Sequence, residues 1–324
     1  MPFLLYQSET FLAHQTGKGH PENRRRIEAI AAALASSGIE RRAVCPAWQA
    51  AMRQDLQRVH TSDYLDALAT FVNQGGGLIE RDTMVSDRSL EVAILASGAV
   101  CDAVGRVLSD ATEAPTPIAF AAIRPPGHHA LAGAAMGFCL LNHIAVAARY
   151  ATDQMQLDRV LIIDWDVHHG NGTQAIFWED PRVGFYSIHR WPFYPGTGDR
   201  NETGAGRGAG TTMNVPITYG TSRREYLETF ASSVTKFASR IKPQLILISA
   251  GFDAHRLDPV GSLGLESEDF ATMTDIVLAL AHEYAGGRIV SALEGGYHPA
   301  ALAESVIAHL NRLAPRLDIP AAGD

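Results

Sequence analysis

Two aspartates, two histidines and an asparagine fall within the eight positions D-W-D-V-H-H-G-N, Asp164 to Asn171, directly after the apolar run V-L-I-I. Asp166 and His168 are two apart, so an extended backbone turns both side chains to the same side. Asp253 closes a second apolar run, L-I-L-I-S-A-G-F-D. One imidazole and two carboxylates make three protein ligands with a fourth position left for water, the pattern of a catalytic zinc site rather than a closed structural one. By ligand type alone, a hard octahedral ion such as Mn²⁺ is also admitted. A lone aspartate at a strand-to-helix junction is ordinarily a helix cap; the dense D-x-D-x-H-H with a second, distant aspartate outweighs that reading.

R-P-P-G-H-H-A places His128 and His129 after a stiff Pro-Pro-Gly turn. A neutral imidazole held there could take a proton from water and return it to a leaving amine. Such a histidine needs its other ring nitrogen oriented by an acceptor, and Asp164 and Asn171 are the candidates. By itself the pair could equally be two surface turn residues. L-E-G-G-Y-H sets Tyr297 behind Gly295 and Gly296 after a strand. This flexible turn lets the phenol project into a crevice, where a well-aimed donor to an oxyanion is worth about 3 to 4 kcal/mol. Tyrosines in such turns more often only pack, and the paired glycines favour the functional reading without proving it.

These residues need elements to position them. The stretches P-I-A-F-A-A-I-R-P-P-G, V-L-I-I-D-W-D, V-G-F-Y-S-I-H, L-I-L-I-S-A-G-F-D and I-V-S-A-L-E-G-G have strand length and are nearly continuous in apolar residues. Strands of that kind are buried on both faces of a parallel sheet. Segments with helical spacing lie between them, among them residues 89–108, 140–154, 224–241 and 269–285. The alternation predicts an α/β fold with a mainly parallel sheet covered on both sides. The polar segments all follow an apolar run: Arg124 to His129, Asp164 to His169, Ser187 to His189, Gly251 to His255 and Glu294 to Tyr297. Ligands of open parallel sheets bind outside the carboxyl ends of the strands, so these five segments should meet in one crevice. The Gly-rich E-T-G-A-G-R-G-A-G-T-T reads as a long surface loop, because strand-helix alternation continues beyond it.

The 324 residues, 46% hydrophobic and 19% charged, suit a globular protein with a large core. A net charge of -8 argues against a general binder of nucleic-acid phosphates, although a basic partner or cationic substrate stays open. No signal peptide and no run of about 18 apolar residues is expected. Cys45, Cys101 and Cys139 form no C-x-x-C pair. A disulfide framework is therefore not expected, and a reducing cytoplasm is the default.

Taken together, R-P-P-G-H-H-A, G-F-C-L-L-N-H-I-A-V-A-A-R-Y, D-W-D-V-H-H-G-N-G-T-Q-A-I-F, Y-P-G-T-G-D, S-A-G-F-D-A-H-R-L-D-P-V-G and L-E-G-G-Y-H resemble the blocks of the histone deacetylase superfamily, in its order. H-P-E-N-R-R-R-I resembles its N-terminal block, so the resemblance spans nearly the whole chain, 1–324, as a single catalytic domain. It implies the arginase/deacetylase fold, with an eight-stranded, mainly parallel sheet flanked by helices. It implies one zinc per chain on Asp166, His168 and Asp253, His129 as general base and acid, His128 as an electrostatic partner held by Asp164, and Tyr297 polarising the substrate carbonyl. Asn171 stands behind His129. Phe138 and Tyr194 would wall an acyl-lysine channel, Gly137 would accept from the substrate amide, and Gly295 and Gly296 would border the substrate. Arg26 would lie near the exit of the acetate product. A structural potassium or sodium would take oxygens from Asp164, Asp166, His168, Ser187 and Ile188, largely from the backbone.

The implied activity is zinc-dependent hydrolysis of N-acetyl or other short N-acyl amides, with acyl-lysine in proteins or peptides ranked first. Acetylpolyamines or other small amides follow, and neither nucleic acid nor membrane is a partner. A binuclear manganese ureohydrolase ranks lower, since the second aspartate it needs is replaced by His255, and a catalytically dead acyl-lysine binder lower too, since every motif residue is present. Asn171 replaces the aspartate of class I enzymes, as in class II and the bacterial amidohydrolases, and should leave His129 less basic. Val260 stands where the polyamine deacetylase of class II has a glutamate. Tyr297 is present rather than the histidine of weakly active class IIa enzymes. A homo-oligomer is left open.

Overall fold

A computed structural model describes residues 3–109 and 117–314. Ten strands and nine α-helices alternate along these residues. The strands are β1 (Phe3–Tyr6), β2 (Ala43–Val44), β3 (Gly77–Glu80), β4 (Thr83–Val85), β5 (Ile118–Ala121), β6 (Val160–Asp164), β7 (Val183–Arg190), β8 (Thr212–Ile217), β9 (Leu245–Ala250) and β10 (Ile289–Leu293). The helices are α1 (Arg25–Ser37), α2 (Arg53–Leu56), α3 (Ser62–Asn73), α4 (Ser89–Ser109), α5 (His143–Asp153), α6 (Asn171–Phe177), α7 (Arg223–Ile241), α8 (Ser267–Tyr284) and α9 (Pro299–Leu313).

Eight strands form one sheet in the order β2-β1-β5-β10-β9-β6-β7-β8, and every pairing is parallel. β5, β6, β9 and β10 are buried at every residue, as continuous apolar runs on a sheet covered on both faces should be. The five strands expected from the sequence are all present. β1, β2 and β8 were not singled out: β2 is two residues long, and β8 carries Pro216 where the sheet ends, a position with no further strand to need its missing N–H. β3 and β4 form a separate antiparallel hairpin. The Gly-rich stretch 202–212 is mostly loop, with one short 3-10 turn at Gly206–Gly208, and runs into β8.

The helices begin where side chains can cap them. Thr61, Asn142 and Ser222 accept backbone N–H groups at the starts of α3, α5 and α7, and Glu266 with Asp269 forms a capping box on α8. α4 is long and apolar enough to cross a membrane by length and composition, with a mean hydropathy of 1.6. Its apolarity answers to the core instead: 61% of the window is buried, and the helix packs on β5, β10 and α5.

The order of the sheet explains how distant motifs meet. β5, β10, β9 and β6 are successive neighbours, and their C-terminal ends carry Arg124 to His129, Glu294 to Tyr297, Asp253, and Asp164 to His168. Because the strands are parallel, all four polar segments leave the sheet at the same edge.

Candidate active site and metal centre

Asp166, His168 and Asp253 are buried, and one ligand atom from each lies within 4.8 Å of the others. His168 Nδ1 is 3.0 Å from Asp166 Oδ1 and 3.1 Å from Asp253 Oδ2. The remaining carboxylate oxygens are oriented by the backbone: Gly295 N–H donates to Asp166 Oδ2 at 2.8 Å and Val167 N–H to Asp253 Oδ1 at 2.8 Å. A Cβ at Gly295 would run into both carboxylates, so this close approach requires glycine. Burial opposes charge on His168, but Asp166 and Asp253 outweigh it and raise its pKa to about 9. Burial, and then Asp166, push Asp253 up to about 7. By donor type and spacing, this trio of one imidazole and two carboxylates in a buried place fits a zinc ion. It is the single such group found among the described residues. His255 instead faces Glu266 at 3.7 Å and accepts Leu257 N–H, which gives no support to a second metal.

The sequence left two acceptors for two histidines, and the structure pairs them. His128 Nδ1–H donates to Asp164 Oδ2 at 2.9 Å, and His129 Nδ1–H donates to the Asn171 amide oxygen at 2.7 Å. The rings lie 4.0 Å apart. Burial would lower both, yet Asp164 and Asp166 carry His128 up to about 10, which favours its protonated form. His129 faces the opposite balance. Burial, then the charges of His128 and His168, hold its pKa well below that of ordinary imidazole, and Asn171 offers only a neutral dipole in return. His129 is therefore neutral, with its Nδ1 proton committed to Asn171 and Nε2 left as the acceptor.

Glu294 was noticed in the sequence only as the end of a strand. It is buried, and Glu294 Oε2 accepts Gly127 N–H at 2.6 Å and His128 N–H at 3.2 Å, fixing the turn that carries both histidines. Burial pushes its pKa up to about 7. Nothing in its spacing signalled this, since its partners lie more than 160 residues away.

Tyr297 is 8% exposed, and its N–H donates to Asp258 Oδ2 at 2.6 Å. Burial raises its phenol pKa well above the ordinary value, so the hydroxyl stays a donor. Arg26 is wholly buried and grips the turn before Tyr297 through the carbonyls of Glu294 and Gly296, the latter at 2.6 Å. Its guanidinium also sits 5.0 Å from the Tyr297 ring. Glu22 bridges Arg26 at 3.1 Å and Arg124 at 2.6 Å. Burial would raise the Glu22 carboxyl, but Arg124, His14 and Arg26 hold it well below the usual range.

The walls are aromatic. Gly137 and Phe138 are consecutive left-handed residues, φ 56° and 69°, and this turn lays Gly137 against the His129 ring. The Phe138 N–H donates to Thr83 Oγ1 on β4 at 3.0 Å, so the small hairpin supports the turn. Phe138 meets Tyr297 edge-on at 5.6 Å, and Tyr194 meets His129 edge-on at 5.3 Å. Phe193 was missed: it stacks flat on His168, 5.3 Å between centroids and 18° between planes. Arg190 lies over the Phe193 ring at 4.1 Å, and also 4.4 Å from the Tyr219 ring.

The residues expected to hold a monovalent ion lie together on two paired strands and the segment that follows, with Asp164 opposite Ser187 in the β6/β7 register. Asp164 Oδ1 accepts Asp166 N–H at 3.1 Å, and Ile188 is buried. His169 points away from the trio to Thr197 Oγ1 at 2.8 Å and Gln174 Oε1 at 3.0 Å.

Comparison with known proteins agrees with this geometry. Residues 20–313 match the model of the histone deacetylase domain. The chain is 39% identical to a probable deacetylase of Archaeoglobus fulgidus, over 89% of this chain and 79% of that protein. It is 37% identical to the histone deacetylase-like amidohydrolase of Pseudomonas aeruginosa, over 86% and 72%. Among solved structures, the HDA15 HD domain superposes with a TM-score of 0.90 at 37% identity, covering 97% of this chain and 88% of that one. The chain therefore belongs to the histone deacetylase family, and is one of its deacetylase-type hydrolases.

Proposed function

We propose that the protein is a zinc-dependent amidohydrolase that releases acetate, or another short acyl group, from N-acyl-lysine in a protein or peptide. The observation that carries this reading is His129, oriented by Asn171 and set beside the Asp166–His168–Asp253 trio. Zinc held by that trio would supply Lewis acidity, polarising the amide carbonyl and easing deprotonation of water. His129 Nε2 is the lone pair able to take a proton from water and pass it to the departing amine. His128, as an imidazolium held by Asp164, stabilises negative charge forming nearby and keeps a second proton out of His129 by repulsion. The Tyr297 hydroxyl bonds to no described residue, which leaves its proton for the substrate carbonyl oxygen. Phe138, Phe193 and Tyr194 exclude water from an extended aliphatic chain, as an acyl-lysine side chain requires.

Val260 stands where a polyamine deacetylase carries a glutamate, and the nearby Asp258 carboxylate is taken up by the N–H groups of Val260, Gly261 and Tyr297, which ranks polyamines below acyl-lysine. The same reading includes one catalytic domain over residues 1–324, a potassium or sodium beside Asp164, and Arg26 near the path of released acetate. It also includes a reducing, cytoplasmic setting, with Cys45, Cys101 and Cys139 all free thiols. Acetate release from an acetyl-lysine peptide by wild type, His129→Ala and Tyr297→Phe tests the proposal. Each variant should fall by about 10²- to 10³-fold while keeping the fold; equal turnover in all three would sink it.

A further inference from the structure

A cavity of about 990 Å³ opens beside Tyr297, between the segment 14–25, Arg124, and the loop carrying Pro259 and Val260. It adjoins the aromatic channel: Tyr297 lines it, and so does His20, whose ring meets Phe138 at 4.7 Å. Of the residues lining it, Tyr297 and Val260 alone have a role assigned above. Its charge runs against that of the molecule. In a chain of net charge -8, the exposed cations Lys18, Arg24 and Arg25 all line it. Glu28 is the one carboxylate in the lining, and Arg24 already binds it at 2.8 Å. Lys18 and Arg25 have no ion-pair partner among the described residues.

Two further observations point to a negatively charged occupant. Arg124 lies in the lining with its side chain fully buried, and its Nη2 has no hydrogen-bond partner. A buried guanidinium nitrogen left unpaired is costly, and with Glu22 already on Nε and Glu22 Oε2 itself without a hydrogen bond, a water or a carboxylate entering from the cavity would satisfy it. The first turns of α1 and α9 also border the cavity, at Arg25 and Pro299, and helix N-termini favour anions. Val260 adds an apolar surface with no charge.

We infer that this groove is a recognition site for a carboxylate carried by the substrate next to its acylated amine. This rests on the acyl-amide hydrolase reading above and names the substrate class more closely: acyl-lysine in an acidic setting rather than a basic one. The carboxylate can come from an aspartate or glutamate flanking the acyl-lysine in a peptide, or from the free α-carboxylate of an acylated amino acid.

The test uses three acetyl-lysine peptides that differ only in carrying aspartate, alanine or lysine beside the acyl-lysine, together with free Nε-acetyl-lysine and its α-carboxamide. For wild type, kcat/KM should rank acidic above neutral above basic, spanning about five- to tenfold, and the ranking should narrow at high salt. In Lys18→Ala/Arg25→Ala the peptides should converge. A gain confined to the free amino acid over its amide would assign the groove to small acylated amino acids, and a gain confined to the peptides would assign it to protein substrates. Equal kcat/KM for all peptides and for both small molecules overturns the inference while leaving hydrolysis itself standing. So does a ranking that survives the double variant, or an effect of these residues on inhibition by acetate alone. Turnover of the alanine peptide separates the two ideas, since its absence would remove the hydrolase reading instead. Fluorescence polarisation of the same peptides reads the charge preference without turnover.

Discussion

Replacing Gly137 by alanine should disable His129 without unfolding the protein. Gly137 has φ 56°, a conformation that costs an L-residue about 1 to 2 kcal/mol. Its new Cβ would lie 2.5 Å from His129 Cδ2, 2.9 Å from Cγ and 3.1 Å from the Tyr194 hydroxyl. Carbon atoms in contact sit about 3.5 to 4.0 Å apart, so the ring must retreat by roughly 1 Å. His129 is tied to Asn171 by a single 2.7 Å hydrogen bond, which such a movement would stretch to the limit. A displacement of about 1 Å in a catalytic group can cost about 10²-fold in rate. The expected result is therefore a fall of that order in kcat/KM on an acetyl-lysine peptide, with a melting temperature lowered by only a few degrees (about). Gly133→Ala is the control, since its Cβ would meet nothing closer than Thr61 Oγ1 at 3.9 Å. If Gly137→Ala keeps wild-type kcat/KM, or both variants lose activity equally, the turn does not set His129.

Other consequences can be checked separately. Arg190→Met removes the cation that covers Phe193, so KM for acetyl-lysine should rise several-fold with kcat little changed, and longer acyl chains should be better tolerated; unchanged KM and chain-length preference would show that Phe193 holds itself. Burial lowers His143 and His309 to about 3 in the folded state, against about 6.5 unfolded. Between those values the unfolded chain binds more protons, so each histidine's contribution is complete above pH 6.5 and lost as pH falls, by about 2 kcal/mol from pH 7 to pH 5. Urea unfolding at both pH values should therefore show His309→Gln losing less stability on acidification than wild type; parallel losses would contradict the assignment. Glu294→Gln weakens the acceptor for Gly127 and His128 N–H. It should reduce turnover more than it reduces melting temperature, and a pure stability loss would make Glu294 structural alone.

Much of this could be read from residue order because continuous apolar runs mark buried parallel strands, and polar residues at their C-terminal ends must share an edge. Asp166, His168 and Asp253 followed from that logic and from ligand type. What stayed hidden depended on pairings across long separations. The Glu294 hydrogen bonds to the histidine turn, the Glu22 bridge to Arg124 and the Thr83 support of Phe138 leave no periodic trace. Phe193 was passed over for its neighbour Tyr194, because motif order does not say which of two adjacent aromatics lies flat on His168. α4 was legible from its helical spacing, and its apolar residues are spent on the sheet and α5.

The central claim is that Asp166, His168 and Asp253 hold one zinc ion on which deacetylation depends. Titrating zinc into chelated protein, while measuring bound metal and acetate release from an acetyl-lysine peptide, tests it directly. Binding and activity should rise together and level off at a single equivalent per chain, and Asp253→Asn should abolish both. Full activity in the chelated protein, or a requirement for two metal ions per chain, would contradict it.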